Sequence, residues 1–80
     1  MITWNKIKRA SNLAKHGMDF ADLDGDFFAN ATVMPAKQGR YMATGEFAGM
    51  IITVVFAPLG SEALSVISMR PASRKERRAR

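Results

Sequence analysis

Arg40-Tyr41-Met42-Ala43-Thr44-Gly45-Glu46-Phe47, then Ala48-Gly49, then Met50-Ile51-Ile52-Thr53-Val54-Val55-Phe56 is the stretch that decides the fold. In its first part Tyr41, Ala43, Gly45 and Phe47 alternate with Arg40, Met42, Thr44 and Glu46, the period-2 pattern of a strand whose two faces differ. Ala48-Gly49 supplies a tight turn. Met50–Phe56 is apolar on both faces, which predicts a strand covered on both sides and central in its sheet. Outward from this hairpin, Ala31–Met34 reads as a short strand stopped by Pro35, and residues 35–39 as a loop. Pro58-Leu59-Gly60-Ser61 turns the chain again, and Ala63–Met69 is the last strand of the meander, ending in Ser68-Met69-Arg70.

The N-terminal part changes period. Met1–Trp4 is short and apolar, a small edge strand. Asn5–His16 predicts a helix, with Asn5 as its N-cap and Gly17 as the left-handed residue that ends it. Met18–Phe28 predicts a second helix, because Phe20, Leu23 and Phe27 recur at i, i+3 and i+7 and Asp19 and Asp22 suit its start. Asp22-Leu23-Asp24-Gly25-Asp26 has the look of a calcium loop but fails its template: the glycine comes too early, and Val33 stands where the bidentate glutamate belongs. Past the last strand, Ser73-Arg74-Lys75-Glu76 matches a capping box and opens a short basic helix. The expected architecture is α+β: one domain over residues 1–80, two N-terminal helices on one face of a four-stranded antiparallel sheet, and a short basic C-terminal helix.

Composition narrows the function. With no cysteine, disulfides and thiolate metal sites are excluded. No apolar leader opens the chain and the apolar run at Met50–Ala57 is too short to span a bilayer, so a cytoplasmic protein without a membrane role is expected. The formal net charge is +5, and it is concentrated at one end. Up to Met69 basic and acidic residues balance; Arg70, Arg74, Lys75, Arg77, Arg78 and Arg80, less Glu76, supply the excess. A basic end on a neutral body points to a polyanion, nucleic acid first, while a solvated charge run is the plainer alternative.

Asn12-Leu13-Ala14-Lys15-His16-Gly17 carries the only histidine. On a helix Ile7, Ala10 and Ala14 share one face, with Leu13 beside them, and this is the face expected to pack. Trp4, Lys8, Asn12 and Lys15 run down another, with His16 one turn beyond Asn12. That gathers cations, an amide, an indole and an imidazole. The competing account of His16 is a simple helix C-terminal cap, favoured by the macrodipole.

The order of these signals resembles the BrnT family, the ribonuclease toxins of bacterial type II toxin–antitoxin pairs. Trp4-Asn5, Lys8, Asn12, Lys15-His16-Gly17 and Phe20 are similar to its N-terminal signature. Arg40-Tyr41 and Gly45 are similar to its middle, and Val66-Ile67-Ser68-Met69-Arg70-Pro71-Ala72-Ser73-Arg74-Lys75-Glu76-Arg77 to its C-terminal signature. The resemblance implies a RelE-like fold, metal-independent RNA cleavage with no cofactor, and a cognate DNA-binding antitoxin that neutralises the toxin. It further implies a heterotetramer of two toxins and two antitoxins that reaches operator DNA through the antitoxin and represses its own operon. This chain has Ser65 where similar proteins usually carry arginine. That departure motivates an alternative: an inactive relative kept as antitoxin partner and co-repressor.

Metal-free RNA cleavage uses the ribose 2′-OH as nucleophile. It needs a proton acceptor, a proton donor for the leaving 5′ oxygen, and cations around the phosphorane-like transition state. Histidine is the side-chain type suited to either proton role near neutrality, so His16 is the candidate, as base or acid. Arg40 and Arg70 are candidates for the phosphate oxygens, and the three are expected to meet on one surface. Lys8, Lys15, Arg74 and Arg77 are candidate RNA-backbone contacts. Trp4 and Tyr41 are suited to base stacking or, more plainly, to the core. Ser68 and Glu76 are assigned to the backbone and to the cap.

Overall fold

The computed structural model describes residues 1–79; Arg80, the last cation of the basic end, lies outside the described residues. The hairpin is where the alternation puts it. Strands β3 (Tyr41–Phe47) and β4 (Met50–Leu59) pair antiparallel from Tyr41↔Phe56 to Phe47↔Met50. Ala48 and Gly49 both have positive φ (50° and 81°), as a turn matched to right-handed strand twist demands. β2 (Thr32–Pro35) pairs with β3, and β5 (Ala63–Pro71) with β4, both antiparallel.

The edge strand expected at Met1–Trp4 joins the four of the meander, and its direction corrects the antiparallel expectation. β1 (Ile2–Trp4) pairs parallel with β5, giving a mixed sheet of order β1-β5-β4-β3-β2. It is tied there by Leu64 N–H to the Met1 carbonyl at 2.9 Å and by the Met1 ammonium to the Glu62 carbonyl at 2.6 Å. β5 is kinked: Val55 faces Ser68 while Phe56 faces Val66, so Ile67 bulges out.

The second predicted helix is also corrected. Residues 18–28 form a 3₁₀ turn, Phe20–Asp22, followed by α2, Gly25–Asn30. Leu23 between them is extended (φ −77°, ψ 144°). Two aspartates cut the run. Asp19 accepts from Ala21 N at 2.9 Å and Asp24 from Phe27 N at 3.1 Å, local bonds that compete with a continuous helix, and Gly25 lowers the helix propensity of the second half. The apolar period still names the core, since Phe20, Leu23 and Phe27 are all buried against Ala43, Ile52, Val54, Phe56, Val66 and Met69. Gly45 is where α2 meets the sheet: a Cβ there would lie 3.3 Å from both Cα and Cβ of Ala31 and 3.5 Å from the Phe27 ring.

α1 (Lys6–His16) spans the predicted residues, with Asn5 and Gly17 as its caps, but it is turned over. Ile7 is 79% exposed and Leu13 43%, whereas Asn12 is 6% exposed; Ala10 and Ala14 are exposed too. β1 ends at Trp4, level with Val66, so the outer edge of β5 beyond that point has no strand beside it. α1 fills the place. Asn12 Oδ1 accepts from Met69 N at 3.0 Å and Asn12 Nδ2 donates to the Met18 carbonyl at 3.1 Å. Satisfying two backbone groups outweighs burying two alanines and an isoleucine.

Candidate active site

Turning α1 over directs its polar side chains toward the bulged edge of β5. Lys8, Ser11, Asn12, Lys15 and His16 line a cleft of about 200 Å³ closed on the other side by Ile67 and Ser68. Helical spacing brings Lys8, Ser11 and Lys15 onto one rim, and Gly17 (φ 69°) ends the helix immediately after His16. His16 is half-buried, while Lys8 and Lys15 are exposed. Asn12, bonded to Met69 N and the Met18 carbonyl, fixes floor and helix relative to each other. The cleft thus gathers one imidazole, two ammonium groups and hydroxyl and amide groups around a space open to solvent.

The expected meeting of His16, Arg40 and Arg70 requires correction. Neither arginine lines the cleft. Arg40 stands just before β3, at the end of a 3₁₀ turn, Lys37–Gly39. Arg70 is opposite Thr53, which is opposite Thr44. Arg40 is four residues from Thr44, so it lies about 13 Å along the strands and about 10 Å across them from Arg70.

The Arg70 guanidinium is already engaged. Nη1 and Nη2 donate to Glu76 Oε1 and Oε2 at 2.7 and 2.8 Å. Glu76 sits in α3 (Arg74–Arg78), whose capping box is formed as predicted. Its carboxylate also accepts from Thr53 Oγ1 at 2.9 Å and Ser73 N at 2.8 Å, and Thr53 bonds to Thr44 within the sheet at 2.9 Å. Hydrogen bonding from Arg70 first, then from Ser73 and Thr53, holds the Glu76 carboxyl down at about 2 against the cost of its burial. Glu76 is therefore more than a cap: it docks α3 onto the sheet.

Trp4 lies under Arg9, whose guanidinium carbon is 5.9 Å from the ring centroid. Arg9 in turn grips Asp19 through Nε and Nη2 at 2.7 and 2.8 Å, and this bonding, with Ala21 N–H, holds the Asp19 carboxyl down at about 2. Trp4 packs against the core, and Tyr41 stacks on Phe56 with centroids 5.9 Å apart. Arg74 and Arg77 are exposed on α3. Ser11 and Ile67 are cleft residues that sequence reasoning passed over. Ser11 carried a signal, its i+3 and i+4 relation to Lys8 and Lys15; a bulge at Ile67 has none. Among the described residues no three His, Cys, Asp or Glu side chains gather to hold a metal ion, and no helix is long and apolar enough to cross a membrane.

The profile of a family described as the ribonuclease toxin BrnT of type II toxin–antitoxin systems matches residues 4–76. The chain belongs to the BrnT family. A solved relative, the Brucella abortus ribonuclease toxin BrnT, is 61% identical, with 91% of this chain and 96% of that one covered at a TM-score of 0.85. No curated protein matches. For a BrnT-family chain the partner class comes with the family itself: an antitoxin. The matched residues run from Trp4 to Glu76, so they take in the whole cleft and the Arg70–Glu76 pair.

Proposed function

We propose that this BrnT-family chain cleaves RNA without a metal ion, by attack of a ribose 2′-OH on the adjacent phosphorus, in the cleft between α1 and β5. The observation that carries this reading is the convergence of His16 with Lys8 and Lys15. His16 moves one proton, accepting that of the 2′-OH or donating one to the departing 5′ oxygen, and solvent water in the open cleft carries the other. The ammonium groups of Lys8 and Lys15 hold the phosphate and offset the charge that builds on its oxygens. The new P–O bond closes a cyclic phosphate as the bond to the 5′ oxygen breaks, so DNA, lacking the hydroxyl, is not a substrate. Arg74 and Arg77 hold the RNA backbone beside the cleft. Arg70 contributes by seating α3, and Arg40 is left outside the reaction.

The product would be growth arrest in the cytoplasm, relieved when two antitoxins bind two toxins and the assembly sits on operator DNA. The inactive alternative rests on Ser65. That residue pairs with Thr3 of β1 and Ala57 of β4, and the serine itself does not line the cleft.

The test is His16→Ala with cleavage rate and melting temperature read on the same protein. A positioned acid or base is worth about 10²–10⁴-fold, so the rate should fall by that order with the fold intact. Full activity in a less stable protein would return His16 to the role of helix cap.

A further inference from the structure

The face of the sheet away from the helical core carries a feature the reaction does not use. Register places Met34 opposite Met42, Met42 opposite Val55, and Val55 opposite Ser68. Directly opposed residues share a face, so these four form one row across β2, β3, β4 and β5, about 14 Å long. Three of them are apolar. Met34 is 46% exposed, and Met42 and Val55 are half-buried beside it. Scattered single apolar residues are ordinary on a surface, whereas a contiguous strip is a mark of an interaction site.

Both sides of the strip are cationic. On one side α3 is docked over Thr53 and Arg70, one pleat from Val55 and Ser68, and it presents exposed Arg74, Lys75, Arg77 and Arg78. On the other side Arg40, in extended conformation, falls on the same side as Met42, two residues on. The strip ends at Ser68, a wall of the His16 cleft. Methionine and valine offer no ring for base stacking, the means by which sequence-tolerant single-strand sites hold bases; flexible methionines instead suit a side chain of a protein partner.

We infer that this strip is where the antitoxin docks, through a segment that lays apolar side chains along Met34, Met42 and Val55 and carries carboxylates on both flanks to meet Arg40 and α3. Seated there, the segment reaches Ser68 and closes the cleft. The docking itself does not depend on the reading of the cleft as the RNA site; only its inhibitory consequence does.

The experiment uses the full chain and the small protein encoded beside its gene, with affinity, melting temperature and antitoxin-free RNA cleavage measured on each variant. Met34→Glu and Met42→Glu should each weaken antitoxin binding roughly tenfold or more, and Met42→Lys less than Met42→Glu because the partner is acidic. Cleavage should be unchanged in all three. Ile7→Glu, on the exposed outer face of α1, should leave the affinity as it was. Met34, at a strand edge, keeps the test open should the Met42 variants fail to fold. Unchanged affinity in a folded Met34→Glu protein overturns the inference. So does loss of RNA binding with antitoxin affinity retained, which would make the strip an RNA track, and so does a neighbouring gene product that does not bind. A wild-type chain that cuts no RNA but loses its antitoxin through Met34→Glu would sink the proposed reaction and leave the docking site standing.

Discussion

Individual residues settle two questions that composition leaves open. Asn12 is the first. Its amide is the buried joint between α1, the β5 edge and the start of the loop at Met18, and no apolar residue can replace both bonds. Asn12→Leu leaves the Met69 N–H and the Met18 carbonyl buried without partners, each at a cost of about 1–3 kcal/mol. For a chain of this size about 1 kcal/mol is about 4–8 °C in Tm, so thermal melting should show a loss well above about 5 °C. A loss under about 2 °C would mean that water replaces the amide. Ala48 is the second, and it works the other way. Its φ of 50° is strained for a residue with a Cβ, and Ala48→Gly removes that strain at some cost in chain entropy. Ala48→Asn should do better, raising stability by about 0.5–1 kcal/mol in a denaturant titration. No gain would mean that the hairpin turn relaxes around alanine.

Elements show why part of this fold was legible and part was not. The hairpin could be read from Tyr41–Phe56 because alternation, turn and register are local and agree. The grouping of Lys8, Lys15 and His16 was readable too, since it needs only helical spacing. The orientation of α1 was not, because it is set by Met69, an unpaired strand edge 57 residues away from Asn12. Two alanines bury little area, so their face lost to one amide. The parallel β1 and the docking of α3 have the same character: both depend on partners distant in sequence. Glu76 looks like a cap to anyone reading Ser73–Glu76, and only the structure supplies Arg70 and Thr53. That pairing has a signed consequence. The Glu76 carboxyl titrates from 4.5 ordinarily to about 2 in the folded chain, so the unfolded state binds the proton first. Its contribution to stability is complete above the ordinary value and declines as pH falls from there toward 2, in the same direction as that of Asp19. Melting temperature should therefore be level above about pH 5 and drop below it. Glu76→Gln should lower the plateau by on the order of 2–3 kcal/mol and flatten the drop. A variant with an unchanged plateau would mean that α3 is not held by this pair.

At the scale of the molecule, charge is sorted by face. Asp24 and Asp26 line a second cleft beside α2 with Phe27 and Asn30, while the cations of α3 lie over the opposite side of the sheet. A field of this kind holds a polyanion on one side and repels it from the other. It also makes affinity depend on salt, because each phosphate neutralised releases counterion, with a log–log slope of about −0.7 per contact for single strands. If Arg77 and Arg78 each meet a phosphate, the double variant Arg77→Ala, Arg78→Ala should make that slope shallower by about 1.4. Neither side chain is in an ion pair among the described residues, so their loss should not disturb the docking of α3, which rests on Glu76. Melting temperature should accordingly fall by no more than about 4 °C, a surface change of about 0.5 kcal/mol corresponding to about 2–4 °C in a chain of this size. An unchanged slope with antitoxin affinity reduced would assign α3 to the protein partner alone. An unchanged slope with unchanged antitoxin affinity would leave α3 a solvated helix, and RNA would then be held by Lys8 and Lys15 at the cleft without help from the basic end.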